Sequence, residues 1–231
     1  MSDASNPSLS RRERERRMRR RAMLDAASAV FAEKGFEQAP LDEIAERAEF
    51  GKGTIYNYFE EGKEGLLFAL FDEAYDDLQA LIRSNFEEAG DRSFRASFHN
   101  FVVESFTYYE EREDLFLNLI KESQRLCFSD DPEKTEYFRR QQQRTIEALA
   151  SAVEAAAEEG DISPLPTRSV TYMLLEVVYD LIVHRSLNEH RDTTDATCLA
   201  DVSLLHDAEA AADFLTTLLF DGLETRRDDS M

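Results

Sequence analysis

LDEIAERAEFGKGTIYNYF (41–59) decides the fold. Leu41, Ile44, Ala45 and Ala48 recur at helical spacing, "EFG" (49–51) interrupts, and a second short helix follows from about residue 52. At about 100° per residue, Ile55 and Phe59 fall within roughly 40° of one another and form the buried edge of that second helix. Gly53 and Asn57 then lie near the opposite side, with Thr54 and Tyr58 beside them and Tyr56 on the other flank. Two short helices with these inner faces have helix-turn-helix spacing. The outward face is small, polar and phenolic, which suits a major groove. Gly53 lets the backbone approach a phosphate, Thr54 and Tyr58 offer hydroxyl donors, Asn57 can read a base edge, and Lys52 and Lys63 add charge. An amphipathic core helix with incidental surface tyrosines would leave the glycines and lysines without a role.

Outward from this segment the chain reads as helix almost throughout. Apolar residues keep helical spacing at Leu24, Ala27, Val30 and Phe31, again at Leu67, Leu70, Phe71, Ala74 and Leu78, and again at Val170, Met173, Leu174, Val177, Val178 and Leu181. Breaks at Gly35, Gly51, Gly62, Gly90, Pro132, Gly160 and the polar stretch 188–197 divide it into about nine helices. The expected class is all-α, an N-terminal helix-turn-helix domain joined to a larger helical regulatory and dimerisation domain. The expected divisions are a basic arm over 1–22, the DNA-binding domain over 23–66 and the larger domain over 67–226.

A chain of 231 residues with 42% apolar content can bury a substantial core. It has no apolar run of about 18 residues and its N-terminus is charged, so neither a membrane span nor a secretory signal is expected and the expected compartment is the cytoplasm. The net charge of −21 argues against a nucleic-acid partner until its distribution is considered. Residues 1–63 carry 12 basic and 12 acidic residues, so the whole excess lies beyond them. Within the neutral part, "SRRERERRMRRR" (10–21) gathers eight arginines, and Arg19, Arg20 and Arg21 are candidates for phosphate or minor-groove contact. The same segment also reads as a solvated, i,i+4-paired extension of the first helix. Only 5 of the 27 basic residues are lysines, a balance that suits a cytoplasm of high salt or, alternatively, an ordinary acidic surface.

The residues "MLDAASAVFAEKGFEQAPLDEIAERAEFGKGTIYNYFEEGKEGLL" (23–67) resemble the DNA-binding domain of TetR-family transcriptional regulators. The likeness lies in "AA" and "VF" of the first helix with "GF" after it, "IA..A" in the second, "GTIYNYF" as the recognition helix and "KEGL" opening the fourth. It implies an all-helical homodimer whose separate C-terminal domain commonly binds a small molecule, and it places DNA contact on Thr54, Tyr56, Asn57, Tyr58 and Lys63. The chain departs from the family pattern at Pro40 and in the turn 48–53, where Gly51 stands at a common serine so that a second hydroxyl is missing. Pro40 stands where a hydroxyl residue often caps the second helix, and Glu49 stands at the usual turn glycine, with its charge near the duplex.

In the larger domain, aromatic residues concentrate between Phe94 and Phe128. Phe98, Phe101, Tyr108, Tyr109, Phe116, Phe128 and Tyr179 are the candidate walls of a pocket for an apolar or aromatic effector, although Phe94, Phe98 and Phe101 also read as a plain core stripe. Helices over 167–187 and 207–225 would pair with their copies in a four-helix interface through Leu174, Val178, Leu181, Leu215, Leu218 and Leu219. Cys127 and Cys198 read as buried thiols, not as a disulfide or metal site. With no phosphate loop, no HExxH and four scattered histidines, no catalytic residue, metal or cofactor is expected. The expected partners are a double-stranded operator, a small-molecule effector and a second copy of the chain, the expected activity being repression relieved by the effector. A constitutive or architectural DNA-binding protein is the alternative.

Overall fold

The computed structural model describes residues 10–189 and 207–222, all of whose regular elements are helical. They are α1 (Arg11–Gln38), α2 (Leu41–Arg47), α3 (Lys52–Tyr58), α4 (Lys63–Ile82), α5 (Phe94–Glu110), α6 (Glu113–Cys127), α7 (Pro132–Glu159), α8 (Thr167–Glu189) and α9 (Ala208–Thr216). Single π turns, Arg83–Glu87 and Thr217–Asp221, extend α4 and α9. The chain divides into two compact units between Ala74 and Tyr75, within α4.

The first unit is built around α1. Ser10 and Glu13 form a capping box, the Ser10 hydroxyl accepting from the Glu13 N–H while the Glu13 carboxylate accepts from the Ser10 N–H. The helix therefore starts at Arg11, and the arginine-rich segment expected as an arm is its first three turns. At its other end Gly35 takes φ 73°, ψ 161°, a conformation that ends the regular helix. Met23, Leu24, Ala27, Val30 and Phe31 of α1 close on Ile44, Ala45, Ile55, Phe59, Leu66, Leu67, Leu70 and Phe71, each nearly or fully buried. Side chains of this size contribute about 1.5–3 kcal/mol each when fully buried. The packing thus fixes the orientation of α3, a helix too short to persist alone.

In the second unit α5 packs on α9, and α7 on α8. Its core joins Phe94, Phe98, Phe101, Val102 and Phe106 of α5 to Leu149 and Val153 of α7, Leu174 and Val178 of α8, and Ala211, Ala212 and Leu215 of α9. Helix ends follow from local chemistry: the Ser93, Asp131 and Asp207 side chains accept N–H bonds at the starts of α5, α7 and α9. Pro132 opens α7 and Gly160, at φ 85°, ends it.

Two expectations change here. Leu174, Val178 and Leu215 are not a surface for a second copy, since they lie inside this core with Leu181 packed half-buried against it. The longest aliphatic stripe of α8 satisfies its own chain first, and the residues left outside are Tyr172, Met173 and Tyr179, with Phe214 and Leu219 on α9 and its π turn. Of the expected set, Leu219 is exposed and Leu218 half-buried. Cys127, expected inside, is exposed because it is the last residue of α6, although partial desolvation of its thiol pushes its pKa up. Cys198 lies outside the described residues.

Candidate nucleic-acid interface

On α3, Ile55 is fully buried and Phe59 nearly so, which turns Gly53, Tyr56 and Asn57 outward and leaves Thr54 and Tyr58 half-buried at the flanks. Nothing lies within 4 Å of where a Cβ on Gly53 would stand, so the backbone there is open to a close approach. The turn before α3 is held by Phe50 N–H donating to the Ala45 carbonyl (2.9 Å) and Thr54 N–H to the Gly51 carbonyl (2.8 Å). Within this turn Glu49 takes φ 61°, the only positive φ on a non-glycine among the described residues. The turn thus keeps the left-handed geometry that a glycine would supply, with a carboxylate side chain in its place.

The first turns of α1 lie beside this helix. The Arg16 guanidinium stands 5.7 Å from the Tyr58 ring centroid, Arg19 5.9 Å from Phe50 and Arg20 5.3 Å from Phe59. These cation–π contacts hold the basic turns against the helix-turn-helix. Arg21 points elsewhere, to Asp25 (2.8 Å) and Glu73 (3.3 Å). The fold therefore brings Arg16 to the recognition helix, seats Arg19 and Arg20 on the residues flanking it, and commits Arg21 to carboxylates.

Lys52 and Lys63 are not free points of charge. The Lys63 ammonium donates to the carbonyls of Phe36 (2.8 Å) and Glu37 (3.2 Å) and stands 4.6 Å from the Phe36 ring centroid, so it caps the C-terminus of α1. Lys52 is 2.9 Å from Asp42, whose carboxylate hydrogen-bonds the ammonium and raises its pKa. Sequence spacing did not single out Asp42, which follows the first residue of α2 by one position and lies ten residues before its partner.

The candidate effector residues do not form one cavity wall. Phe98 and Phe101 are buried within the core of the second unit. Tyr109 is buried too, with half-buried Phe116 set 5.9 Å from it and 5.3 Å from Tyr108, whose hydroxyl donates to Asp77. Tyr179 is 40% exposed and Phe128, at the C-cap of α6, is 90% exposed, which removes Phe128 from an interior wall. Among the described residues no group of three or more His, Cys, Asp or Glu side chains is placed to hold a metal, and no helix is long and apolar enough to cross a membrane.

Residues 23–70 match the model of the bacterial regulatory proteins of the tetR family. The uncharacterised HTH-type transcriptional regulator YhgD of Bacillus subtilis is 23% identical over 71% of this chain and 82% of its own length. The fatty acid metabolism regulator protein of the same organism is 45% identical over 51 residues, which are 22% of this chain and 26% of that one. In three dimensions the chain is similar to the transcriptional regulator FadR of Bacillus subtilis, solved in complex with stearoyl-CoA, with a TM-score of 0.69 at 20% identity, over 88% of this chain and 99% of that one. FadR of Bacillus halodurans gives a TM-score of 0.68 at 22% identity over the same shares.

Proposed function

We propose that the chain, whose residues 23–70 match the tetR-family model and whose fold is similar to that of FadR, is a cytoplasmic, DNA-binding repressor that grips its operator through the outward face of α3 and the arginine-rich turns of α1. The observation that carries this reading is the seating of Arg16, Arg19 and Arg20 on Tyr58, Phe50 and Phe59, which joins a cationic surface to a polar recognition face in one unit. Gly53, Thr54, Tyr56, Asn57 and Tyr58 would meet bases and nearby backbone, while the arginines supply sequence-independent attraction to phosphates.

Repression would be exerted by a homodimer, whose two recognition helices must stand roughly 34–36 Å apart, or a multiple of that spacing, to enter successive grooves. The outward residues Tyr172, Met173 and Tyr179 of α8, with Phe214 and Leu219 at α9, are five of the large apolar side chains exposed in this unit, and a second copy would cover them. The effector would be a small apolar or aromatic molecule, and the likeness to FadR bound to stearoyl-CoA makes a long acyl chain the first class to test. Ser105 Oγ and Thr171 Oγ1 are buried without a hydrogen-bond partner among the described residues, and such groups favour a polar guest or water beside them. The close packing of Phe98, Phe101 and Phe106 favours instead the second reading, a DNA-binding protein without effector. Selection of bound fragments from genomic DNA, followed by anisotropy titration of the selected duplex with and without stearoyl-CoA, separates the two. Release by the acyl-CoA supports the repressor reading, whereas binding unchanged by that and other apolar compounds supports the second.

A further inference from the structure

Residues 23–70, the span that matches the tetR-family model, contain four basic and ten acidic residues, a net charge of −6. All four cations have partners within that span. Lys34 meets Glu43 at 2.5 Å, Arg47 holds Glu33 through two bonds of 2.6 and 2.9 Å, Lys63 caps α1, and Lys52 meets Asp42 at 2.9 Å. Of the three ion pairs, the one between Lys52 and Asp42 is the most open to solvent, its side chains being 47% and 77% exposed. It also lies at the first residue of α3, next to Gly53 and Thr54.

We propose that Asp42 holds Lys52 as an internal substitute for a DNA phosphate, so that Lys52 reaches the duplex by exchanging one anion for another. The inference rests on the reading of α3 as the recognition helix and names a residue that sets its affinity without touching DNA. A lysine that neutralises a phosphate releases condensed counterions, about 0.9 per contact. Here the same step uncovers the Asp42 carboxylate, which draws cations back. The two ion terms oppose, so Lys52 adds little to the salt dependence of binding. Added salt also screens the pair that must open, since the Debye length falls from about 10 Å at 0.1 M to about 3 Å at 1 M. Asp42 thereby trades affinity at low salt for affinity that persists as salt rises, which fits a chain of net charge −21.

The test is a double-mutant cycle on the full chain with Asp42→Asn, Lys52→Met and both together. Binding is read by anisotropy on a fluorescent duplex that the wild-type chain selects from a random library, between about 0.1 and 1 M KCl. Circular dichroism and melting confirm that each variant is folded. Asp42→Asn is expected to bind about three-fold tighter at the low-salt end, the scale of an exposed ion pair. Its log–log salt slope should steepen by up to about 0.9. In the Lys52→Met background the same change should alter neither quantity. An equal gain in both backgrounds would overturn the inference, because Asp42 would then act through general repulsion of the duplex, and so would an Asp42→Asn variant indistinguishable from wild type. Failure of the wild-type chain to bind any duplex would instead reject the recognition-helix reading itself.

Discussion

Tyr56 lies with its ring edge against Gly62: a Cβ on that glycine would stand 2.8 Å from Cε1 of the tyrosine and 3.3 Å from Cδ2 of Leu41. Gly62 also takes φ 60°. Gly62→Ala should therefore lose about 1–2 kcal/mol of stability to backbone strain alone, and should move Tyr56 off its present line, weakening DNA binding. Gly53→Ala lies within α3, meets no neighbour within 4 Å and should stabilise the chain in urea by about 0.5–1 kcal/mol while lowering DNA affinity. Unfolding curves and anisotropy titrations on the two variants check both statements.

Thr54→Ala and Tyr58→Phe should each weaken operator binding by about 1–3 kcal/mol through lost hydroxyl contacts, with helical content intact. Ile55→Asp should unfold the first unit, because it buries an unpaired carboxylate at a position of 0% exposure. Gel-shift titration and circular dichroism distinguish the two kinds of failure. Full affinity in both hydroxyl variants would remove Thr54 and Tyr58 from the interface.

Glu49→Gly should stabilise the chain by about 1 kcal/mol, since glycine accepts φ 61° without the Cβ clash that a glutamate meets. It should also raise DNA affinity at low salt by removing a negative charge from the turn before α3. Thermal melting and low-salt titration measure the two effects separately.

The helix-turn-helix was legible because its evidence is local. Leu41 to Ala48 and Ile55 to Phe59 repeat within a few residues, and helices α2 and α3 end within a residue of where that spacing puts them. Glu49 was legible only through the family resemblance, whose pattern has a glycine at that turn position, and the structure gives it φ 61°. The partner of Lys63 was not, because the carbonyls it caps lie 26 and 27 residues upstream. Nor was the inward face of α8. Leu174, Val178 and Leu181 form one apolar stripe and Tyr172, Met173 and Tyr179 another, and helical periodicity carries no statement of which meets the chain's own core.

That distinction gives a further expectation. Met173→Glu should weaken self-association in sedimentation velocity while leaving the melting temperature nearly unchanged, since Met173 is 59% exposed. Leu174→Ala should instead cost about 2–5 kcal/mol of stability, as a truncation inside a packed core. Equal self-association in wild type and Met173→Glu would move the dimer surface off this face of α8.

Burial, and then Asp180, push the Glu176 carboxyl above its ordinary range against the opposing hydrogen bond from Gln142. A carboxylate whose folded pKa is raised subtracts stability while it is ionised, and the loss disappears as pH falls through that raised value toward 4.5, the ordinary one. Glu176→Gln should therefore stabilise the chain at about pH 7, and the gain should shrink to nothing near about pH 4. Urea unfolding at the two pH values tests the sign. A gain that persisted at the lower pH would place its origin in packing.

Regulators are often rebuilt as biosensors by grafting one protein's DNA-reading segment onto another's sensing half. Residues 23–70 would make a poor graft. They hold the recognition geometry but carry a net charge of −6, with every cation already engaged, while the arginine-rich turns sit upstream on the same helix. A chimera spliced at Met23 would inherit the shape that fits a groove without the charge that reaches it, whereas a splice at Ser10, ahead of the capping box, would carry both.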